Sequence, residues 1–274
     1  MRAPGQRGHP VRQAGPDGSL RSWGSGSRRP LLRGRYFAEV FAGSGQVAKA
    51  AREWGFSTRE WEISKDPRAD VTKPAVKNII KRDLRLGRII GLFLGPPCQT
   101  FSISQNRTRG IRSVSEPWGK SNLSAFDAER VRRGNILFKS ALELAREAHR
   151  CKVPWMLEHP SSAYSWHTDQ IDRLSREPNV KLTKIDQCMY GAPWRKRTKL
   201  IYGNIDDLDD GRLQNMLCKG RKKCAKTGRP HQRLEGTNCR GVSWTSIASA
   251  YPSNLGKAMA FAVTAKARAA YLGI

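Results

Sequence analysis

The residue best suited to covalent chemistry is a cysteine that follows two prolines. The segment Gly95-Pro96-Pro97-Cys98-Gln99-Thr100-Phe101-Ser102 comes directly after the apolar run 89–94. Because prolines restrict the backbone, they hold the side chain of Cys98 in a defined direction. A thiol in a strongly basic chain has a route to a lowered pKa and a reactive thiolate. We therefore predict that Cys98 is a nucleophile, and the alternative is an inert, buried cysteine.

A carboxylate stands in a matching position further along the chain. The sequence Trp155-Met156-Leu157-Glu158-His159-Pro160 places Glu158 just after a second apolar run, 153–157. If both runs are parallel strands, their carboxyl ends lie at one edge of a sheet. A nucleophile and an acid at one edge are typical of covalent catalysis with proton transfer. The alternative for Glu158 alone is a structural role.

A glycine-rich turn supplies a third motif. Phe41-Ala42-Gly43-Ser44-Gly45 ends the apolar run 36–41, and its glycines permit a tight turn and close approach of a nucleotide-like ligand. Glu62 follows roughly 20 residues later, where an acid can accept hydrogen bonds from ribose hydroxyls. Asp70 is placed to accept from an adenine amino group. An ordinary turn and ordinary surface acids are the alternative interpretation.

Alternating strands and helices must position these motifs. The sequence predicts strands at 36–41, 57–63, 89–94, 153–157, 180–186 and 198–202, and helices at 46–54, 73–86 and 125–149. This alternation predicts an α/β fold with a Rossmann-like, doubly wound and mostly parallel sheet. Ligands of such sheets bind beyond the carboxyl ends of the strands, where each of the three motifs is expected.

Composition indicates a polyanionic partner. The chain of 274 residues has 50 Lys and Arg against 23 Asp and Glu, a net charge of +27. Nucleic acid is the usual partner of so basic a surface, and a solubility adaptation is the alternative. No apolar run approaches the roughly 20 residues of a membrane helix. Six dispersed cysteines without a secretory signal favour reduced thiols and an intracellular location.

Composition also divides the chain into four parts. Residues 1–34 are rich in Gly, Pro, Ser and Arg, a composition that predicts a disordered basic arm. The arm is a nucleic-acid-binding tail, an organelle-targeting segment or an extension without a role, and composition does not choose among these. Residues 35–203 form the expected catalytic domain. A short basic insert, 204–243, precedes closing helices at 244–274, which are expected to pack on the catalytic domain.

The insert contains the residue types of a zinc site. Cys218, Cys224, His231 and Cys239 are candidate ligands, and zinc would let a short segment fold without its own core. The spacing lacks the usual close pair of cysteines. Cysteines without a metal, in a basic loop that contacts nucleic acid, are therefore the alternative.

Taken together, these motifs resemble the C5-cytosine-specific DNA methyltransferase family over roughly residues 36–265. The resemblance is carried by Phe41-Ala42-Gly43-Ser44-Gly45, Pro97-Cys98-Gln99, Leu157-Glu158-His159-Pro160, Gly191-Ala192-Pro193-Trp194-Arg195-Lys196-Arg197, and Ser249-Ala250-Tyr251-Pro252 with 258–263. In that order these segments are similar to the family's cofactor loop, catalytic loop, Glu-Asn-Val element, Gly-x-Pro-Gln-x-Arg-x-Arg element and closing helical region.

The resemblance implies a cofactor, a fold of the S-adenosylmethionine-dependent methyltransferase type and a set of roles. S-adenosyl-L-methionine would be bound by Phe41, Gly43, Ser44, Gly45, Glu62, Asp70 and Pro97. Cys98 would add to cytosine C6, and Glu158 would hold and protonate N3. Arg195 and Lys196 would complete the catalytic group. The target base would be flipped out of the stack, and the segment 102–122 would close over it as a mobile loop.

Departures from the family pattern leave alternatives open. His159 replaces the family's Asn, and Lys196 and Thr198 stand where it has arginines; the family's Asn near the carboxyl end is not evident. A catalytically inactive nucleic-acid-binding protein is therefore an alternative, as is methylation of RNA, with DNA favoured as the partner. Amino-group methylation is disfavoured because Cys98 takes the aromatic position of that chemistry. The resemblance implies the nucleus or another DNA-containing compartment, and a monomer is compatible with the sequence.

Overall fold

A computed structural model describes residues 34–103, 110–206 and 212–272, with the side chain of residue 272 excepted. Nearly all of the predicted arm, and residues 104–109 of the predicted mobile loop, lie outside these ranges. Residues 207–211 of the insert also lie outside them.

The centre of the molecule is a six-stranded sheet in the order β2-β1-β3-β4-β6-β5. The strands are β1 (Tyr36–Val40), β2 (Thr58–Trp61), β3 (Ile89–Leu94), β4 (Trp155–Pro160), β5 (Val180–Asp186) and β6 (Arg197–Gly203). Neighbours pair in parallel from β2 to β4, whereas β6 runs antiparallel to both β4 and β5. This arrangement confirms the predicted doubly wound, mostly parallel sheet.

Helices cover both faces of the sheet. They are α1 (Gln46–Glu53), α2 (Pro74–Arg85), α3 (Ala125–Arg150), α4 (Asp169–Ser175), α5 (Trp244–Ile247), α6 (Ser253–Val263) and α7 (Ala265–Leu272). α1 and α6 pack on one face with Phe37, Phe93 and Met156, and α2, α3 and α4 pack on the other. Successive strand residues point to opposite faces, so the apolar run of β3 contributes to both cores.

Local sequence explains where several elements begin and how closely they pack. Pro74 opens α2 at a position where the missing N–H costs nothing, and Ser124 caps α3 by accepting from the Asp127 N–H at 3.1 Å. Gly91 lets α6 approach the sheet, because a Cβ there would lie 2.6 Å from the Val263 carbonyl oxygen. Leu255, Met259 and Val263 of α6 are buried in the same core as Phe37 and Phe93 of the sheet.

One predicted boundary is wrong in a way that affects the site. We expected the fourth strand to end at Leu157, but β4 continues to Pro160. The pairing of β4 with β3 ends at Leu94 and Leu157. On its other side, β4 stays paired with β6 as far as Pro160 and Thr198. Glu158 therefore lies in a strand segment that has lost its β3 neighbour, beside the turn that follows β3.

The insert carries little regular structure within the described residues. Two isolated bridges, Lys223 with Pro230 and Thr237 with Ser243, are its only strand-like pairings there. Short 3-10 turns elsewhere occupy Pro67–Ala69, Tyr164–His167 and Gln187–Tyr190. Across the described ranges, no helix combines the length and apolar character needed to cross a membrane.

Candidate active site

The glycine-rich turn and the Cys98 turn meet at the switch point of the sheet. β1 and β3 are parallel neighbours, and the chain leaves β1 for β2 on one side before returning to β3 on the other. A crevice opens where the two connections diverge, and ligands of doubly wound sheets bind there. The structure thus brings together two of the predicted motifs at the position where the fold favours a ligand.

The glycine-rich turn has an unusual backbone. Phe41 has a φ of 58°, which is rare for a residue with a side chain and typical of functional turns. Gly45 also has a positive φ, and a Cβ on it would lie 2.6 Å from the Glu60 Oε2 atom. A Cβ on Gly43 would meet nothing within 4 Å. Gly43 and Ser44 are exposed at the tip, so a ligand can approach the backbone closely.

The two predicted cofactor-binding acids are held by short-range hydrogen bonds. Glu62 Oε2 accepts from the Gly43 N–H at 2.8 Å, and Glu62 Oε1 accepts from the Ser64 hydroxyl at 2.7 Å. Burial acts to raise the pKa of Glu62, but these bonds outweigh it and the pKa is lowered. Asp70 Oδ1 accepts from the Thr72 N–H and hydroxyl, which likewise outweigh burial and lower the pKa of Asp70. Both groups are thus ionised acceptors in fixed orientations.

Cys98 lies in a tight turn at the end of β3. Its carbonyl oxygen accepts hydrogen bonds from the N–H groups of Phe101 and Ser102 at 3.0 and 2.9 Å. Burial raises the pKa of the Cys98 thiol more than the Lys196 ammonium lowers it, and the Glu158 carboxylate adds to the rise. The pKa of Cys98 is therefore raised, and the expectation of a lowered pKa is wrong. The Lys196 ammonium and the Glu158 carboxylate therefore act in opposite directions on the Cys98 thiol.

Glu158 is oriented by a residue that the sequence did not identify as part of the site. The Tyr251 hydroxyl donates to Glu158 Oε2 at 2.8 Å, whereas Glu158 Oε1 is buried without a hydrogen-bond partner. Burial raises the pKa of Tyr251 well above its usual value, so the phenol remains a neutral donor. Gly95 admits this phenol, because a Cβ there would lie 3.0 Å from the Tyr251 oxygen. One Glu158 oxygen is therefore fixed by a hydrogen bond, and the other is buried without a partner.

His159 supports the Cys98 turn as a neutral ring. It is fully buried, its Nδ1 lies 2.6 Å from the Ser165 hydroxyl, and its ring stacks on Phe138 with centroids 5.1 Å apart. Burial lowers the pKa of His159 to about 3, against the opposing effect of the Pro96 and Pro97 carbonyls. The ring also lies edge-on to Phe101, with centroids 5.8 Å apart, and so packs against the segment that follows Cys98.

Arg112 anchors the chain that follows Cys98, and sequence reasoning missed it. Its guanidinium donates to the Thr100 carbonyl at 2.9 Å, to the Thr100 hydroxyl at 2.9 Å and to the Pro117 carbonyl at 2.7 Å. It also lies 3.8 Å from the centroid of the Phe101 ring. The side chain is buried, and burial lowers the pKa of Arg112 to about 10. The sequence offered no signal for this role, because Arg112 is one of many arginines.

A basic depression borders the Cys98 turn on its outer side. Pro97, Gln99 and Thr100 line it together with Arg130 and Arg133 of α3. Arg133 is 74% exposed and pairs with Glu129, so its charge faces solvent. A phosphate-bearing chain that reached Cys98 would pass this positive edge of the molecule.

The two basic residues predicted to be catalytic lie in different networks. Lys196 Nζ donates to the Ala248 carbonyl at 2.9 Å and acts on the pKa of Cys98. Arg195 instead contacts Asp186 at 3.2 Å and the Cys218 carbonyl at 2.9 Å. The structure therefore groups Lys196 with Cys98 and Arg195 with the insert.

The structure brings three of the four predicted zinc ligands together and leaves the fourth apart from them. The ligand atoms of Cys188, Cys218, Cys224 and His231 all lie within 4.8 Å of one another. Cys239 is exposed and lies outside this group. Cys239 was chosen because it lies near Cys218, Cys224 and His231 in the sequence. In the structure the fourth member is Cys188, which lies in the turn after β5 and precedes Cys218 by 30 positions.

Comparisons with known proteins give distant likenesses. No protein-family model and no curated protein matches the sequence. The chain is similar to a protein described as a DNA modification methyltransferase encoded within an E. coli prophage, with 18% identity, a TM-score of 0.38 and coverage of 74% of this chain and 57% of that one. It is also similar to the Entamoeba histolytica methyltransferase EhMeth, with 11% identity, a TM-score of 0.35 and coverage of 74% and 58%.

The chain is also similar to a mutant of Spodoptera frugiperda DNMT2, with 13% identity and a TM-score of 0.39. The match covers 69% of this chain and 56% of that one. The chain thus spans less than two thirds of each of these three proteins. Likenesses at this level do not define an activity.

Proposed function

We propose that the chain is a compact member of the C5-cytosine methyltransferase family and transfers a methyl group from S-adenosyl-L-methionine to C5 of cytosine in nucleic acid, with DNA favoured. One observation carries the proposal. Cys98 follows the central strand β3 and lies within electrostatic reach of both Lys196 and Glu158, at the same switch point as the glycine-rich turn. A nucleophile, an acid and a nucleotide-type turn at one crevice match the needs of this reaction.

The residues of the glycine-rich turn fit the proposed cofactor. A Cβ on Gly43 would meet nothing within 4 Å, so the cofactor could approach the backbone there, and the Glu62 carboxylate, held by the Gly43 N–H, would accept from ribose hydroxyls. Asp70, held by Thr72, would accept from an adenine amino group, and Phe41, Ser44 and Pro97 would complete the cofactor site. When bound, S-adenosyl-L-methionine would supply an electrophilic methyl group at its sulfonium.

Cys98 and Glu158 would activate the cytosine ring. The Cys98 thiolate adds to C6, forming a carbon–sulfur bond, while Glu158 in its acid form delivers a proton to N3. The electron pair released from the C5–C6 double bond makes C5 nucleophilic, and C5 takes up the methyl group. A base then removes the C5 proton, the C5–C6 double bond forms again, the Cys98 thiolate is expelled, and N3 gives its proton back to Glu158.

The surrounding side chains would keep the two catalytic groups in their roles. The Lys196 ammonium favours the thiolate of Cys98, which burial otherwise disfavours. Tyr251 holds Glu158 Oε2, so that the unpartnered Oε1 can face N3 of the base. Arg130 and Arg133 beside the Cys98 turn would contact the phosphates that flank a flipped nucleotide.

Covalent trapping tests this proposal. The full-length protein is incubated with S-adenosyl-L-methionine and with DNA or RNA that carries 5-fluorocytosine in place of cytosine. Because fluorine blocks the final loss from C5, an active enzyme remains attached to its substrate. The expected result is a denaturant-stable adduct that requires cofactor and is formed preferentially on DNA.

Two cysteine variants make the test specific. Cys98→Ala removes the proposed nucleophile, whereas Cys151→Ala alters another half-buried cysteine, at the end of α3 and away from the crevice. We expect an adduct with the wild type and with C151A, and none with C98A. Binding of both polymers by the wild type without any adduct, across DNA of varied sequence, would instead support the inactive nucleic-acid-binding protein. Preferential trapping on RNA would reassign the substrate.

A further inference from the structure

We propose that Cys188, Cys218, Cys224 and His231 bind one zinc ion that fastens the insert to the sheet. The ligand atoms of these residues lie within 4.8 Å of one another, and Cys218 Sγ is 3.7 Å from His231 Nε2. Zinc–sulfur bonds of about 2.3 Å place the ligand atoms of a tetrahedral site roughly 3.8 Å apart. The four atoms therefore need only small shifts to surround a zinc ion.

The nature and burial of the ligands fit a structural zinc site. Three sulfurs and one imidazole nitrogen are a common set for closed, four-coordinate zinc. The cysteines are 1%, 2% and 4% exposed and His231 is half-buried, so the site is enclosed by protein. All three cysteines are free thiols rather than disulfide partners.

The backbone around the ligands is folded to present their sulfur atoms. The Ala225 N–H points at Cys218 Sγ at 3.3 Å, and the Cys224 N–H donates to the Arg229 carbonyl at 2.8 Å. Gly220 is required between the two insert cysteines, because a Cβ there would lie 1.9 Å from the Lys223 carbonyl oxygen. An N–H directed at sulfur stabilises a thiolate, which is the form that binds metal.

The described part of the insert buries few side chains of its own. In the described residues from 212 to 243, only Leu213, Cys218 and Cys224 are buried, so two of the three buried side chains are proposed ligands. A segment with so little apolar burial does not offset its own conformational entropy. Binding of zinc by ligands from separate turns supplies the missing free energy of folding.

The location of the site suggests what the ion fastens together. Cys188 belongs to the 3-10 turn that follows β5, whereas the other three ligands belong to the insert. The buried Asp186 accepts from the Cys218 N–H at 2.9 Å, and Arg195 joins Asp186 to the Cys218 carbonyl. The ion would complete this junction and hold the insert beside the segment that carries Lys196. This role does not depend on methyl transfer.

Metal content and ligand type of the full-length protein test the inference. We expect about one tightly held zinc per chain after purification without added chelator, as for other structural sites. X-ray absorption at the zinc edge should show three sulfurs at about 2.3 Å and one nitrogen at about 2.0 Å. Zinc far below one per chain after expression in zinc-supplemented medium would overturn the proposal, as would a site with two sulfurs.

A matched pair of variants tests the corrected ligand set. Cys188→Ser removes a proposed ligand, and Cys239→Ser removes the exposed cysteine outside the group. In competition with a chromogenic chelator, C239S should release zinc like the wild type and C188S at least 10-fold more readily, as loss of a ligand predicts. Retention by C188S with loss by C239S would overturn the assignment. If C188S fails to fold, the absorption spectrum of the wild type still decides the question.

Discussion

The Tyr251 hydroxyl donates a 2.8 Å hydrogen bond to the Glu158 carboxylate, and it joins residues 93 positions apart in the chain. The bond links the segment before α6 to the end of β4. It leaves one oxygen of Glu158 buried and unpartnered at the crevice that contains Cys98. The segment between α5 and α6 thus contributes a side chain to the candidate active site, while α6 packs on the sheet.

Removal of this hydroxyl should slow the reaction without unfolding the protein. In Tyr251→Phe, Glu158 loses the donor that fixes its orientation, and hydrogen bonds to charged groups are worth about 1.5–3 kcal/mol. We expect adduct formation on 5-fluorocytosine DNA to slow about 10- to 100-fold. Tyr190→Phe is the matched control, because Tyr190 donates to the Arg212 carbonyl in the core beside the insert. Equal rates in the two variants would contradict the role of Tyr251.

The pH dependence of Cys98 should reveal the charge of Lys196. Burial raises the pKa of the thiol, so the rate of alkylation by iodoacetamide should still be rising with pH above neutrality. Lys196 lowers that pKa, and Lys196→Gln should therefore move the midpoint of the rate profile to higher pH. Lys184→Gln, on the exposed side of β5, should leave the midpoint unchanged. A midpoint that moves down or stays fixed in K196Q would exclude electrostatic support by Lys196.

Glu39 should make the protein less stable as pH rises. It is buried beneath α1, its Oε2 accepts from the Ala48 N–H at 2.6 Å, and burial raises its pKa from 4.5 to about 7. Because the folded state holds the proton more tightly, the stabilisation is complete below pH 4.5 and is lost as pH rises through about 7. A shift of this size corresponds to about 3 kcal/mol at most.

Urea unfolding at pH 5 and pH 8 measures this effect. The wild type should lose free energy of unfolding between the two values, and Glu39→Gln should lose less because it has no titrating group at that position. Glu116→Gln, at an exposed position, should behave like the wild type. An identical pH dependence in wild type and E39Q would show that Glu39 is not the source.

Short-range patterns in the sequence were sufficient for the sheet but not for the site. The bounds of β3 and β5 agree with the prediction: β3 is a continuous apolar run, whereas β5 alternates apolar and polar residues, and both patterns define a strand locally. The carboxyl end of β4 was predicted at position 157 instead of 160, because this extension depends on pairing with β6 rather than on the sequence of β4 itself. Pairing between distant strands is not visible in a local pattern.

The site residues that the sequence analysis missed were missed for the same reason, because their roles depend on contacts between distant parts of the chain. Tyr251 reaches Glu158, and Cys188 reaches the insert, only because the fold brings distant segments together. Arg112 is indistinguishable by composition from other arginines until its burial is known. By contrast, Cys98 stands beside prolines after a buried run, so its own neighbours were enough to single it out.

Arg112 should be required for an ordered Cys98 turn. Its guanidinium donates to two oxygens of Thr100 and to the Pro117 carbonyl, and a lysine cannot reproduce that planar arrangement of donors. Arg112→Lys should therefore lower the free energy of unfolding by about 2–4 kcal/mol, and it should slow adduct formation at temperatures where the variant remains folded. Arg173→Lys is the control, because Arg173 makes an exposed ion pair with Asp169 on α4, and such pairs contribute about 0–1 kcal/mol. Urea unfolding and trapping on 5-fluorocytosine DNA measure the two effects. If R112K is as stable and as fast as R173K, the anchor is dispensable and the turn is held by Pro96, Pro97 and the His159 ring alone.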